Sequence, residues 1–308
     1  MGSGGLRGLQ NRCFGAEASK GWFDSDTPPP ICAQRRATML PMAVLYGFYV
    51  LLIGAVIGSF LNVVIHRYPR GESVVFPPSA CPHCGTPIRW FDNIPILNYI
   101  VLRGRCRTCR GSISLRYPLV EAANAMFYLA IFLRTGVSWI SALVAAVVSM
   151  TIALIYIDAD IQILPDVIDL PGIVLGVLIG YFHEAWMSDL VLSASVIDAL
   201  LGAAVGGGIL WLVAITYQLV RKMEGMGLGD VKMLAMIGGV LGIRALLPVM
   251  LIASISGAIV GGVMAIATKR SDLRFPVPFG IFLGFAAIVV LFFGKSIAVI
   301  VPMLGPSL

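Results

Sequence analysis

Two carboxylates at the edges of apolar stretches are the residues best placed to do chemistry in this chain of 308 residues. Asp158 closes the apolar run from Thr151 to Ile157. It is followed by Asp160, by the chain-breaking pair Leu164-Pro165, and by Asp166. Asp230 lies far downstream, in Gly225-Met-Gly-Leu-Gly-Asp-Val-Lys232, at the mouth of another apolar segment. Carboxylates beside hydrocarbon are costly, so their presence points to function. Two that meet in space can hold one proton between them. One then activates water as a base while the other protonates a leaving amine, which is aspartyl-type hydrolysis. Gly227 and Gly229 would let the backbone before Asp230 approach a substrate closely. Asp166 and Lys232 are supporting candidates; Lys232 either neutralises the site or extends its ammonium to the membrane interface. The plainer reading of any single aspartate here, Asp160 above all, is helix capping at a membrane boundary. Asp169 and Asp198, inside apolar segments, read as polar contacts between helices.

Cysteine spacing marks a second constellation. Cys81-Pro-His-Cys84-Gly and Cys106-Arg-Thr-Cys109-Arg-Gly are two Cys-x-x-Cys knuckles separated by 21 residues. Four thiolates on two tight turns make a tetrahedral zinc site, with Gly85 and Gly111 suited to the turns. Four cysteines close the coordination shell, so the expected metal is structural rather than catalytic. Two disulfides or a redox pair are the alternatives, and a cytoplasmic loop disfavours the disulfides. His83 reads as exposed rather than as a ligand. Cys13 and Cys32 have no partner pattern.

The elements that must position these groups are membrane helices. Only 12% of the residues are charged and 58% are hydrophobic, with a mean hydropathy of +0.91. Soluble domains carry roughly 25% charge. The expected class is an all-α polytopic membrane protein with about eight transmembrane helices and a small zinc-ribbon-like loop domain. The segments fall near 41–65, 117–133, 136–157, 168–182, 193–220, 231–243, 244–267 and 276–303. The first, third, fifth and seventh are long enough to cross about 30 Å of hydrocarbon, which takes about 20 residues. Glycines at 206–208, 238–239 and 261–262 fit close helix packing.

Charge sets the orientation. The loop 66–116 holds Arg67, Arg70, Arg89, Arg103, Arg105, Arg107, Arg110 and Arg116. Arg221, Lys222, Lys269, Arg270 and Arg274 fall on the same side. The opposite side has Arg134 and Arg244 but an acidic loop with Glu184 and Asp189. The positive-inside rule makes the arginine-rich side cytoplasmic, and Asp158 and Asp230 then lie at that face. This asymmetry accounts for the net charge of +6 without a nucleic-acid partner. Basic loops also face anionic lipid headgroups.

Four regions follow: 1–38, an N-terminal extension; 39–65, the first membrane segment; 66–116, the tetracysteine domain, stapled by metal because it is too short for a large core; and 117–308, the membrane core with the acidic pair. The extension is polar and basic and lacks the apolar core of a signal peptide. It reads either as a start placed too far upstream, with Met39 or Met42 as initiator, or as a disordered tail.

Taken together, these residues resemble the bacterial type IV prepilin peptidases, the bifunctional leader peptidase/N-methyltransferase family of GxGD aspartic proteases (peptidase A24). Four blocks carry the resemblance: Gly58 to Arg70; the tetracysteine loop with Trp90-Phe-Asp-Asn-Ile-Pro95 and Arg103-Gly-Arg-Cys106; Arg116-Tyr-Pro-Leu-Val-Glu121; and Asp158 with Leu164-Pro-Asp166 plus Gly227-Leu-Gly-Asp230-Val-Lys232. They span about residues 43 to 285. The resemblance implies an enzyme of the bacterial inner membrane. It would cut the short basic leader from prepilins or pseudopilins of type IV pili, type II secretion or competence systems. It would then methylate the new N-terminal amine with S-adenosylmethionine. It also implies Asp158 and Asp230 as the catalytic pair and Cys81, Cys84, Cys106 and Cys109 as the metal ligands. The N-terminal extension and a long 183–192 loop depart from the family pattern.

No Rossmann glycine fingerprint for S-adenosylmethionine is present. Asn62, Arg67 and Glu121 border the tetracysteine loop and are the candidates for the methyl-transfer side, although such residues are more often structural. Two other functions compete: a proton-coupled transporter using the carboxylates as a relay, and an intramembrane GxGD protease of the presenilin type.

Overall fold

The computed structural model describes residues 31–182, 190–222, 227–267 and 278–300. Of the sequence features above, residues 1–30 with Cys13, most of the 183–192 loop with Glu184 and Asp189, Gly225 and Met226, and Lys269, Arg270 and Arg274 lie outside these. The chain divides into two units, Met1–Tyr49 and Val50–Leu308. The site belongs entirely to the second.

All regular structure among the described residues is helical, apart from two isolated bridges in the cysteine loop. The α-helices are α1 (Ile31–Arg67), α2 (Leu97–Val101), α3 (Arg116–Thr135), α4 (Trp139–Ile161), α5 (Asp166–Tyr181), α6 (Val196–Arg221), α7 (Leu228–Leu241), α8 (Leu246–Ala267) and α9 (Phe279–Ile300). Each of the eight expected segments is thus a helix. α1 begins at Ile31, so residues 31–38, assigned above to the extension, are helical.

The count of eight spans is not reproduced by length and composition. Among the described residues, five stretches are long and apolar enough to cross a membrane: Met42–Arg70, Trp139–Ile161, Val196–Arg221, Ile243–Ala267 and Phe279–Ile297. The last corrects the expectation that only the first, third, fifth and seventh segments are long enough. α5 and α7 have 16 and 14 residues. At 1.5 Å per residue they are about 24 and 21 Å long, short of the hydrocarbon thickness.

The shortness of α7 has a packing reason. α7 lies against α5, α6 and α9, and Met233, Leu234, Met236, Ile237 and Val240 are all buried. A helix apolar all round belongs in a core. Backbone contact makes room for it: a Cβ on Gly202 of α6 would overlap the carbonyl of Gly238 in α7, and the reverse also holds. On the other side, a Cβ on Gly176 of α5 would stand 2.6 Å from the carbonyl carbon of Gly239. Gly208 and Gly262, by contrast, have open space where a Cβ would lie, so the packing reading does not extend to them. α8 instead presents Ile255, Ile259, Val263 and Ile266 outward, as a lipid-facing helix does.

Local signals set the ends of α4 and α6, which frame the site. Ser138 Oγ accepts from Ser141 N (3.0 Å) at the start of α4, and Ser195 Oγ accepts from Asp198 N (3.1 Å) at the start of α6. Gln162, in the left-handed region (φ 56°), ends α4 just beyond Asp158. A buried polar chain ties α1, α3 and α4 together. Asn124 donates to Gly54 O (2.7 Å), Ser149 donates to Asn124 Oδ1 (2.8 Å), and Tyr128 OH meets Ser149 Oγ (3.1 Å).

Candidate active site

The site is built where the end of α4 and the starts of α5, α7 and α9 converge. Asp158, in the last turn of α4, is only 4% exposed. Its Oδ2 accepts the Ile281 amide at 3.1 Å, and the Gly280 amide also bonds to this carboxylate. Both donors come from the first turn of α9, where unpaired N–H groups and the helix dipole favour an anion. Gly280 is required there, because a Cβ would lie 2.8 Å from Asp158 Oδ2. Sequence reasoning misses Gly280 and Ile281. The available signal is Pro278-Phe279-Gly280, which opens the last apolar segment.

Asp230 occupies the first turn of α7 and is half-buried. The negative charge of Asp158 reaches it, which brings the two predicted carboxylates into one electrostatic neighbourhood. Leu164 is the spacer between their supports. A Cβ on Gly229 would stand 2.7 Å from Leu164 Cβ, and one on Gly280 would stand 3.3 Å from Leu164 Cδ1. The glycine at 229 therefore makes room for the chain's own Leu164. Gly227 caps α7 with ordinary extended torsions (φ −71°, ψ 144°) and faces open space.

The remaining aspartates separate into distinct roles. Asp166 pairs with Lys232 at 2.6 Å, across the starts of α5 and α7, with both side chains substantially exposed. Lys232 thus neutralises Asp166. Asp160 serves as an ion-pair partner rather than a cap: both its oxygens accept from Arg116 Nη1, at 2.8 and 2.7 Å, and that guanidinium also lies over the Tyr156 ring. Asp198 is the interhelical contact expected of it, accepting from Ala194 N (2.9 Å) and Ile243 N (3.1 Å). Asp169 is not. It is fully buried, and neither oxygen has a hydrogen-bond partner among the described residues.

The four cysteines come together as predicted. All are free thiols, with sulfurs within 4.8 Å of one another. Cys81 Sγ and Cys109 Sγ stand 3.8 Å apart. That matches the edge of about 3.8 Å in a tetrahedron of sulfurs bound at about 2.3 Å, so the group fits a metal ion. Each knuckle closes in the same way: Gly85 N donates to Cys81 O (2.8 Å), and Arg110 N to Cys106 O (3.0 Å). Gly85 takes the left-handed torsion (φ 67°) in the first knuckle, whereas Arg110 (φ 59°) takes it in the second. Gly111 is needed for a different reason, because a Cβ would press on the exposed His83 ring at 2.8 Å. Arg107 grips Asp92 through two nitrogens (2.6–3.2 Å), tying the second knuckle to the Trp90–Asn93 turn. That guanidinium holds the Asp92 carboxyl below its usual range.

Each of the three methyl-transfer candidates bonds the chain's own backbone. Asn62 donates to Tyr117 O (3.1 Å). Arg67 donates to Ser73 O (3.1 Å) and Pro77 O (2.7 Å). Glu121 accepts from Ile96 N (2.8 Å). Asn62 ties α1 to α3, whereas Arg67 and Glu121 hold the cysteine loop to α1 and α3 respectively.

Residues 52–135 match the bacterial peptidase A24 N-terminal domain, and residues 145–262 match the type IV leader peptidase family. A prepilin leader peptidase/N-methyltransferase of Pseudomonas aeruginosa is 37% identical over 270 residues, covering 80% of this chain and 90% of its own. The chain belongs to the type IV leader peptidase family. Proteins of the same name from Myxococcus xanthus and Aeromonas hydrophila are similarly related. The first is 40% identical over 232 residues (75% of this chain, 66% of the relative) and the second 36% over 281 (82% and 92%). No solved structure matches. The two matched regions divide the functional parts: the first contains all four cysteines, and the second contains Asp158 and Asp230.

Proposed function

We propose that this chain is an aspartic endopeptidase of the bacterial inner membrane. It removes the short basic leader of prepilins or pseudopilins at the cytoplasmic face, then N-methylates the exposed amine. The observation that carries the peptidase reading is the Asp158 carboxylate, bound by the first amides of α9 and within electrostatic reach of Asp230 at the start of α7. With one proton shared between them, one carboxylate takes a proton from water as its oxygen attacks the scissile carbonyl. The other delivers its proton to the leaving nitrogen as the C–N bond breaks. The pair ends with one proton, as it began.

Zinc in the tetracysteine group is the ion that four thiolates in tetrahedral reach favour, and there it supplies structure rather than a nucleophile. The transferase reading rests on kinship to proteins named N-methyltransferases. S-adenosylmethionine is its donor in this proposal. Asn62, Arg67 and Glu121 are engaged with the chain's own backbone, so they are scaffold residues in it rather than donor ligands.

Nothing favours a transporter over this reading. Both aspartates adjoin the ends of their helices, which supports a cut at the interface rather than the mid-bilayer cut of a presenilin-type protease. The test is co-expression with a prepilin carrying a basic leader, followed by mass spectrometry of the product N-terminus. The intact chain is expected to remove the leader and add one methyl group. Asp158→Asn and Asp230→Asn should each lower cleavage by about a thousandfold while the protein stays in the membrane. Retained cleavage in either variant would remove the dyad.

A further inference from the structure

An open cavity of about 700 Å³ adjoins the aspartate site, within the range of about 300–1,000 Å³ usual for ligand pockets. One wall is the corner after α1, with Tyr68 and Glu72. The other is the connection from α4 to α5, with Ile161, Ile163, Leu164 and Asp166. The corner is held by its own backbone: Gly71, left-handed at φ 70°, donates to Tyr68 O (3.0 Å), and Glu72 N donates to Arg67 O (3.1 Å). The wall is therefore preformed. Leu164 also lies against the supports of both catalytic candidates, so the cavity is one side chain away from the reacting region.

Its charge is opposite to its surroundings. The segment 66–116 carries many arginines but only two acids, Glu72 and Asp92. Asp92 is taken by Arg107, whereas Glu72 is exposed and lines the cavity. Among the described residues, no Lys or Arg lines it. The nearby Arg67 turns away to bond the carbonyls of Ser73 and Pro77, and Arg70 bonds the carbonyl of His66. Ile163 is 62% exposed, so the floor is apolar and accessible. Asp166 is already paired with Lys232 at 2.6 Å, so Glu72 is the rim carboxylate left for a ligand. Above an aliphatic floor and an aromatic ring it suits a long cationic side chain, whose methylenes lie on hydrocarbon while its charged end meets a carboxylate. An anionic headgroup would be repelled.

We infer that this cavity seats the cationic segment of the polypeptide substrate that lies N-terminal to the cleaved bond, with Glu72 selecting its positive charge. The inference rests on the peptidase reading. Glu72 touches no reacting atoms in this scheme, so it should act on substrate affinity and not on the chemical step.

The experiment uses purified full-length protein in liposomes with a prepilin bearing Lys and Arg in its leader. Glu72→Lys should raise KM about tenfold and leave kcat within about twofold, and Glu72→Gln should shift KM in the same direction by less. Replacing the leader's basic residues by Glu should reverse the order of the two enzymes. A photo-crosslinking residue at Ile163, in an otherwise native chain, should capture the leader. Equal KM for all three enzymes, or crosslinks confined to the part of the substrate after the cut, would overturn the inference while leaving the peptidase intact. Failure of the unaltered chain to cleave any basic-leader substrate would overturn both.

Discussion

At the residue scale, the site depends on what surrounds each carboxylate rather than on how many there are. Asp158, Asp160 and Asp166 lie within nine positions of each other, yet one binds the amides at the start of α9, one binds Arg116 and one binds Lys232. The exposed Asp166–Lys232 pair belongs to a class worth at most about 1 kcal/mol. The buried environment of Asp158 is more demanding. Gly280→Ala would place a methyl group 2.8 Å from its Oδ2 and push the carboxylate out of line. Displacement by about 1 Å costs on the order of a hundredfold in rate. We expect Gly280→Ala to lower cleavage by about that factor while membrane levels and thermal stability stay close to the parent's. An unchanged rate would mean that the α9 amides do not position Asp158.

At the element scale, two devices hold neighbouring parts of the chain in place. The first is the glycine contact between α6 and α7. Gly238→Val would insert a branched side chain against the Gly202 carbonyl. Overpacking of this kind costs about 1–3 kcal/mol, and more where backbone must move. The expected outcome is a lower unfolding temperature in detergent together with lost cleavage, since α7 carries Asp230. The second is the cysteine loop. Its bridges are isolated pairs and its helix α2 spans only five residues, so there is little core to hold it without metal. We predict about one zinc per chain by elemental analysis. Cys84→Ser or a strong chelator should remove it and open 66–116 to protease, while the membrane helices stay intact.

At the scale of the whole molecule, the five long spans among the described residues leave the less apolar α3 and the shorter α5 and α7 packed among or beside them. The side on which the chain's ends of α4 and α6 emerge decides where a substrate can be cut. From the positive charge at 66–116 and at Arg221-Lys222 we propose that both face the cytoplasm. Membrane-impermeant labelling of single cysteines, introduced at Ser114 and Lys222 in a background where labelling of the native thiols is blocked, should protect both positions in intact cells and expose both after lysis. Labelling of either one from outside would move the aspartates to the other face.

Much of this protein is legible in its amino-acid sequence. A chain with so little charge must be a set of membrane helices, and apolar run length places them, because hydrocarbon leaves the backbone no partner except itself. Two Cys-x-x-Cys knuckles specify a four-sulfur group through local turn geometry alone. Carboxylates at the ends of apolar runs stand out because burying charge is costly. What linear order does not convey is partnership across distance. Nothing near Asp158 in sequence announces that the amides of residues 280 and 281 will hold it, that Arg116 will claim Asp160, or that Gly229 makes room for Leu164. The short α7 shows the same division: its composition reads as a membrane segment, but burial against α5, α6 and α9 explains why it need not be long enough to span. Composition and spacing act through the chain's immediate neighbours and the solvent, whereas these pairings exist only once helices far apart in sequence have packed.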